Sequence, residues 1–289
     1  MWVAFESGMF GEQGLDVELT NVPGTAQVLQ AMVAGEIHLS PLDPASAVQA
    51  TLGGADTVLL FGLSNRFIFS IMSQPSIQQP QALRGKTLGF TRLGGVSHTG
   101  AVLTLRKWGL VPNQDVTLRE LGQLPAIIAA LEAGQVDAGM VALPAPRDTR
   151  ARFHELINLI TDGPEYVASA LGGPRAWVGA NEEALRRFTR AYVQGVHRAK
   201  TDKSFTVAVL RKYLQTDDGQ LLEDSYAQFD RMLPNVPYVS EAGLDGLLSD
   251  MAAEDPRVVG HRASEFIDSH FVRDLEASGF IRQVMGDAP

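Results

Sequence analysis

A chain of 289 residues, 45% apolar and 20% charged, is long enough to bury one large core or two medium ones, and its balance is that of an ordinary globular protein. A net charge of −9 with no basic run argues against nucleic acid or an anionic membrane as partner. The absence of cysteine excludes disulfides, thiolate metal sites and cysteine nucleophiles, and no stretch reaches the about 18 apolar residues of a membrane helix.

Residues 1–14 read as a helix, with Val3, Phe5, Met9 and Phe10 apolar and Gly14 as its stop. Residues 15–19 alternate as a strand, residues 25–34 form a helix closed by Gly35, and residues 37–40 form a short strand. After the turn Ser40-Pro41-Leu42-Asp43-Pro44, residues 45–52 read as helical. Two apolar runs, 57–63 and 67–72, read as buried strands. One βα unit follows another, the order of a mostly parallel sheet.

Residues 84–108 organise what surrounds them. Residues 86–90 form an apolar run with β-preferring side chains that stops at a polar, glycine-containing turn, 91–96. Ser97 and Thr99 are N-cap candidates for the helix that follows, whose apolar side carries Ala101, Leu103, Leu105 and Trp108. A strand that feeds a glycine turn and a helix start leaves amide groups free to attract an anion or a polar ligand group. Gly94-Gly95 does not have the spacing of a dinucleotide fingerprint, and Lys86 precedes the glycines where a phosphate loop has its lysine after them.

The same order recurs 99 positions on. LQAMVAGEIHLS (29–40) aligns without gaps on IAALEAGQVDAG (128–139), pairing Gly35 with Gly134, and residues 16–19 fall on 115–118. Gly14-Leu15 is echoed by Gly109-Leu110 with a small offset. Three matches in order predict two similarly built α/β lobes. The second copy has the strand 86–90 ahead of its helix and the first has no equivalent, so a strand is expected upstream of Trp2. Past Ile160, GPEYVASALGGPRAWVG carries turn residues and suits a crossover between lobes. From there the chain is mainly helical, with Asn181 as the cap of 182–200, then helices at 205–214, 221–233, 241–252 and 271–278.

The segments WVAFESGMFGEQGLDVEL, AGEIHLSPLDPASAVQATLGGA, LRGKTLGFTRLGGVSH, AGQVDAGMVALP and FIDSHFVRDLEASGFI resemble the solute-binding proteins of nitrate, sulfonate, taurine and thiamine-precursor ABC importers, the NitT/TauT type. That resemblance spans nearly the whole chain. It implies a type II periplasmic-binding-protein fold: two α/β lobes with mixed, mostly parallel sheets around a central ligand cleft that closes by hinge motion. Lobe 1 would take residues 1–78, lobe 2 residues 79–172, and 173–289 would return to lobe 1. The family's members capture a small polar solute, here expected to be anionic or heteroaromatic, without a cofactor and deliver it to permease and ATPase subunits, working as monomers in the periplasm or lipid-anchored outside the cell. Two features depart from it. His38 stands where the family has Asp, although Asp137 is kept at the matching place in the second copy, and the first residues lack the basic-then-apolar pattern of an export signal.

Ligands of open α/β sheets sit beyond the carboxyl ends of the strands. The candidates in the first lobe are therefore Ser40, Pro41, Asp43, Ser64 and Asn65. In the second they are Thr91, Arg92, Gly95, Ser97, His98, Thr99, Leu143 and Pro144, and Trp2 is a candidate apolar wall. Arg66, Arg92 and Arg147 each follow a strand-like run and could fork onto a sulfonate or carboxylate. An enzyme on the same scaffold, similar to the menaquinone-pathway chorismate dehydratases, is the alternative, with Asp43 and His98 as its only acid or base candidates by position. The effector domain of a regulator is a third reading, disfavoured because no DNA-binding segment is present.

Overall fold

The computed structural model describes residues 1–22, 25–253 and 255–286, with residues 25, 26 and 230 described by backbone alone. Among the described residues the strands are, in chain order, β1 (Ser40–Leu42), β2 (Thr57–Ser64), β3 (Phe69–Ser73), β4 (Lys86–Phe90), β5 (Val116–Glu120), β6 (Ala138–Ala142), β7 (His154–Asn158) and β8 (Ser169–Pro174). The chain divides into two compact units. Unit 1 is Met1–Asn65 with Tyr166–Pro289, and unit 2 is Arg66–Glu165.

In unit 2 the sheet order is β5-β4-β6-β3-β7. β4 is parallel to β5 and β6, and β3 runs antiparallel between β6 and β7. Leu88, Ile71, Met72 and Met140 are buried in these strands, as expected of strands covered on both faces. The helices Val96–Lys107 and Leu124–Glu132 cover the sheet. Gly139 allows the second to come close, since a Cβ there would lie 2.5 Å from Ile127 Cγ2.

Unit 1 has a three-stranded sheet, β1-β8-β2, with both pairings antiparallel. Its core forms where the 20-residue helix Glu182–Thr201 turns Leu185, Phe188, Tyr192 and Val196 onto Val58, Leu60 and Phe61 of β2. Those helix positions recur at intervals of three and four, which gathers them on one face. Phe188 stacks on Phe10 at 4.9 Å and on Phe61 at 6.2 Å. Gly195 permits the N-terminal helix to lie close, because a Cβ there would fall 2.4 Å from Ala4 Cβ.

Several expectations need correction. The sheets are mixed, but four of the six pairings between named strands are antiparallel. The returning strands β3 and β8 impose this, each running antiparallel to both of its neighbours. The first boundary lies at 65/66 rather than 78/79, because β3 pairs with β6 and β7, and the second at 165/166 rather than 172/173, because β8 pairs with β1 and β2. The stretch read as a crossover thus supplies the central strand of unit 1. Residues 15–19 are in no strand, and the strand expected at 37–40 is Ser40–Leu42. The helix after β4 starts at Val96 with Gly95 as its cap residue, so Ser97 and Thr99 lie inside its first turn. Asn181 stands at the cap of Glu182–Thr201, but its side chain donates instead to Trp177 O at 2.8 Å.

Candidate functional site

In unit 2 the carboxyl ends of β4, β5 and β6 share one end of the sheet. There Thr91 N donates to Ser97 Oγ at 3.0 Å, and the two hydroxyl oxygens lie 2.6 Å apart. Gly95 N donates to Arg92 O at 3.2 Å, and Gly122 N to Thr91 O at 2.7 Å, so the turn is pinned from both sides. Leu93 N donates to Glu120 Oε2 at 3.0 Å, which occupies that carboxylate. The helix Val96–Lys107 opens directly from this turn without a side-chain cap, and Arg106 and Lys107 complement the dipole at its other end.

Ser97 and Thr99 are buried, and His98 is half-buried with its ring centroid 4.7 Å from that of Phe90. Gly100 brings the helix head against Phe67 and Met140, since an added Cβ would sit 3.1 Å from both side chains. Leu143 and Pro144 follow β6 at the same end, with Leu143 N donating to Ile68 O at 2.9 Å. Both are half-buried. Unit 2 therefore gathers Thr91, Ser97, His98, Thr99, Leu143 and Pro144 at one sheet end, around a helix start whose partial charge is about +0.5. Arg92 and Arg147 are exposed, and Arg66 Nη1 reaches Gly163 O at 3.4 Å.

In unit 1 the end of β1, the end of β2 and the start of β8 also meet, with Leu42 opposite Ala170 and Ser64 opposite Ser169. Ser40 is half-buried, Pro41 exposed and Ser64 buried. Asp43 caps the helix Pro44–Ala50, its Oδ2 accepting from Ser46 N at 3.1 Å and Ser46 Oγ at 2.7 Å. Asn65 spans a loop, donating from Nδ2 to Tyr238 O at 2.7 Å and accepting at Oδ1 from Ser240 N at 3.1 Å. These two side chains are engaged in the fold. Trp2 lines the same unit 1 cavity of about 1120 Å³ as Ser40 and Pro41, and it stacks on Tyr213 at 4.7 Å with ring planes 7° apart. His38 stacks on Trp177 at 4.8 Å.

Two residues escaped the sequence reading. Phe67 is fully buried beneath the helix head, and its only signal was a place in an apolar run. Tyr166 is buried beside the strand ends of unit 1, where burial first, and the charges of Asp43 and Asp250 after it, raise its phenol well above the ordinary value. Nothing in its neighbourhood in sequence marks it. Among the described residues, no three His, Asp or Glu side chains are placed to hold a metal ion, and no helix is long and apolar enough to cross a membrane.

The sequence profile described as NMT1/THI5 like matches residues 1–203. The taurine-binding periplasmic protein of Escherichia coli K12 is 27% identical over 139 residues, 46% of this chain and 41% of that protein, so the match spans less than half of the curated relative. The periplasmic aliphatic sulphonate binding protein of Escherichia coli superposes with a TM-score of 0.71 over 90% of each chain, at 19% identity. The periplasmic nitrate-binding protein of Synechocystis PCC 6803 gives 0.67 over 100% of this chain and 88% of its own, at 13% identity. At such identities these two likenesses are of fold.

Proposed function

The chain belongs to the NMT1/THI5-like family, and from that premise we propose that it is the solute-binding component of an ABC importer, holding a small anionic solute without altering it. The observation that carries this reading is the uncapped start of the helix Val96–Lys107, set at the end of the interior strand β4 beside the Thr91 and Ser97 hydroxyls. Backbone amides at a helix start, hydroxyl donors and a half-buried imidazole suit an oxyanion. The Glu120 carboxylate at the end of β5 accepts from Leu93 N.

A sulfonate of the taurine class fits this donor set and agrees with the relative that matches in sequence. Thr91, Gly95, Ser97, His98 and Thr99 are the proposed anion contacts, with Leu143 and Pro144 as an apolar border. Ser40, Pro41 and Ser64 are a second proposed set, on unit 1. The partners are a permease and an ATPase, and the compartment is the periplasm. The enzyme reading loses support where Asp43, one of its two candidate acids or bases, is held by Ser46.

Calorimetric titration with taurine, an alkanesulfonate, nitrate and a chorismate-like acid tests the proposal. Saturable binding of a sulfonate or nitrate without turnover is expected. Ligand at 100 times its Kd should stabilise the chain by about 2.7 kcal/mol, and Ser97→Ala should weaken binding by about tenfold or more, close to 1.4 kcal/mol. Conversion of the chorismate-like acid would move the chain to the enzyme reading, and indifference to every anion would end the present one.

A further inference from the structure

At the sheet end of unit 2 the charges around the helix start can be placed one by one. The helix Val96–Lys107 opens with a partial charge of about +0.5 and has no acid in its first turn. The Arg92 side chain folds back over that start, since a Cβ on Gly95 would lie 3.1 Å from Arg92 Cγ and 3.5 Å from its Nε. Both charges invite an anion.

Glu120 works against them. It ends β5 as the register partner of Phe90, the last residue of β4, and partners in a parallel pair turn their side chains to the same face. That face is the helix side, because the Phe90 ring lies 4.7 Å from the ring of His98 in the helix's first turn. Leu93 N fixes Glu120 Oε2 at 3.0 Å, a bond that engages one oxygen and leaves the charge in place. Among the described residues no cation comes within ion-pair distance of this carboxylate, Arg92 included. Leu93 and Gly95 are two residues apart, at most about 7 Å, so the carboxylate lies within roughly 10 Å of the helix's first amides.

For affinity alone this is the wrong residue. A glutamine in its place would accept from Leu93 N equally well and repel nothing. The Glu120 charge offsets that of Arg92, which leaves about the half charge of the helix start in a chain of net charge −9. A ligand with one negative charge is held by that remainder and by its hydrogen bonds. A second negative charge gains little from it and meets the carboxylate. Repulsion built in where a neutral acceptor would serve lowers affinity and raises selectivity.

We propose that Glu120 is a specificity-determining residue: it confines the helix-start site to solutes of low negative charge, organic sulfonates and their zwitterionic amino forms, and turns away inorganic dianions such as sulfate and hydrogen phosphate. The inference rests on the helix start being the anion site.

Calorimetric titration near neutral pH tests it with three probes: taurine, which is neutral overall, ethanesulfonate, which is singly charged, and sulfate, which is doubly charged. The parent is expected to bind sulfate at least tenfold more weakly than ethanesulfonate. At about 10 Å in water one unit charge alters affinity for a single charge roughly twofold, and more where the protein lowers the dielectric. Glu120→Gln should therefore leave taurine nearly unchanged, tighten ethanesulfonate about two- to fourfold, and tighten sulfate by the square of that factor, about four- to sixteenfold. The gains should shrink in about 1 M salt, where the screening length is about 3 Å. Tm and exchange of the Leu93 amide should match the parent's, because the new amide keeps the acceptor. Equal gains for ethanesulfonate and sulfate, no gain for either, or a parent that already binds sulfate as tightly as ethanesulfonate overturns the charge filter and leaves the anion site standing. Faster Leu93 exchange with weaker binding of all three probes makes Glu120 a mechanical part of the turn and also overturns it. A parent that binds none of the three removes the anion site and the filter with it.

Discussion

Asn65 lies at a strand end where a solute contact is expected, yet the structure gives its amide to the loop that leads into the helix Glu241–Met251. Nδ2 donates to Tyr238 O at 2.7 Å, and Oδ1 accepts from Ser240 N at 3.1 Å. Gly62 N adds a bond to Pro237 O at 2.9 Å, and Ser240 is itself the N-cap of the helix. Asn65→Ala removes two bonds that are each worth about 1 kcal/mol net, with more lost where a group stays desolvated. A loss of about 2–3 kcal/mol follows, or a Tm lower by roughly 4–12 °C at about two to four degrees per kcal/mol. The Ser240 amide should exchange about 30-fold faster if 2 kcal/mol of that loss is local. Asn65→Asp keeps the acceptor for Ser240 N but sets a carboxylate oxygen against the Tyr238 carbonyl. Its folded-state pKa is therefore raised above the unfolded value, so the variant is worst at neutral pH and recovers as acid protonates the group. A Tm within 1 °C of the parent's for Asn65→Ala, with Ser240 exchange unchanged, would refute the structural role and free the side chain for a ligand.

Phe188→Ala removes a ring stacked on Phe10 and Phe61 in the core of unit 1 and should cost about 3–5 kcal/mol, read by urea or thermal denaturation. Gly100→Val drives a branched side chain into Phe67 and Met140, each 3.1 Å from the Cβ position alone. A cost of about 1–3 kcal/mol is expected, with Gly100→Ala milder because the Met140 methyl can move. Glu6 accepts from Lys212 Nζ at 2.7 Å and from Tyr213 OH at 2.8 Å, and these bonds, Lys212 foremost, hold its carboxyl below the ordinary 4.5. That stabilisation is present above pH 4.5 and fades as pH falls below it, so Glu6→Gln should lower Tm at pH 7 and converge with the parent in acid. On the basic side Tyr213 is pushed up to about 12, by burial first and by Glu6 second, so phenol ionisation should not disturb the Trp2 stack at pH 9–10, a point ultraviolet titration can check.

Helix ends were the most legible part of the chain, because a glycine with positive φ after an apolar face has one local meaning. Gly14, Gly35, Gly109 and Gly134 all close helices with φ between 65° and 76°, as their spacing predicts. In LGGP the residue type is the same and the meaning is opposite. Gly172 and Gly173 sit inside β8, where a Cβ would fall 2.6 Å from Val58 O and 2.3 Å from His38 O. They are there so that neighbouring backbones can approach, and only the neighbours reveal it. Ser97 fails in a similar way. Its type and place suit a cap, but the Thr91 backbone and hydroxyl take its oxygen, and the helix start is left uncapped.

Alternation along residues 15–19 names an apolar face but says nothing about whether a partner lies alongside. The equivalent residues in unit 2 form β5 because β4 offers a parallel edge at Lys86–Phe90, with Leu88 opposite Leu118 and Thr87 opposite Thr117. In unit 1 the same pattern borders a groove and has no edge to pair with, so it stays outside the sheet. A strand is a property of at least two segments, whereas a helix closes its bonds within one. This is why most of the longer helices were placed to within a few residues, although the one expected at 1–14 breaks at Gly8, while β1 was misplaced by a few positions and β7 and β8 were missed. The site divides along the same line. The unit 2 candidates follow from one contiguous strand, turn and helix, and they come together. Asp43 is taken by its own helix start, Asn65 by a loop more than 170 positions away in sequence, and Trp2 by Tyr213, partners that no reading of the strand ends alone supplies.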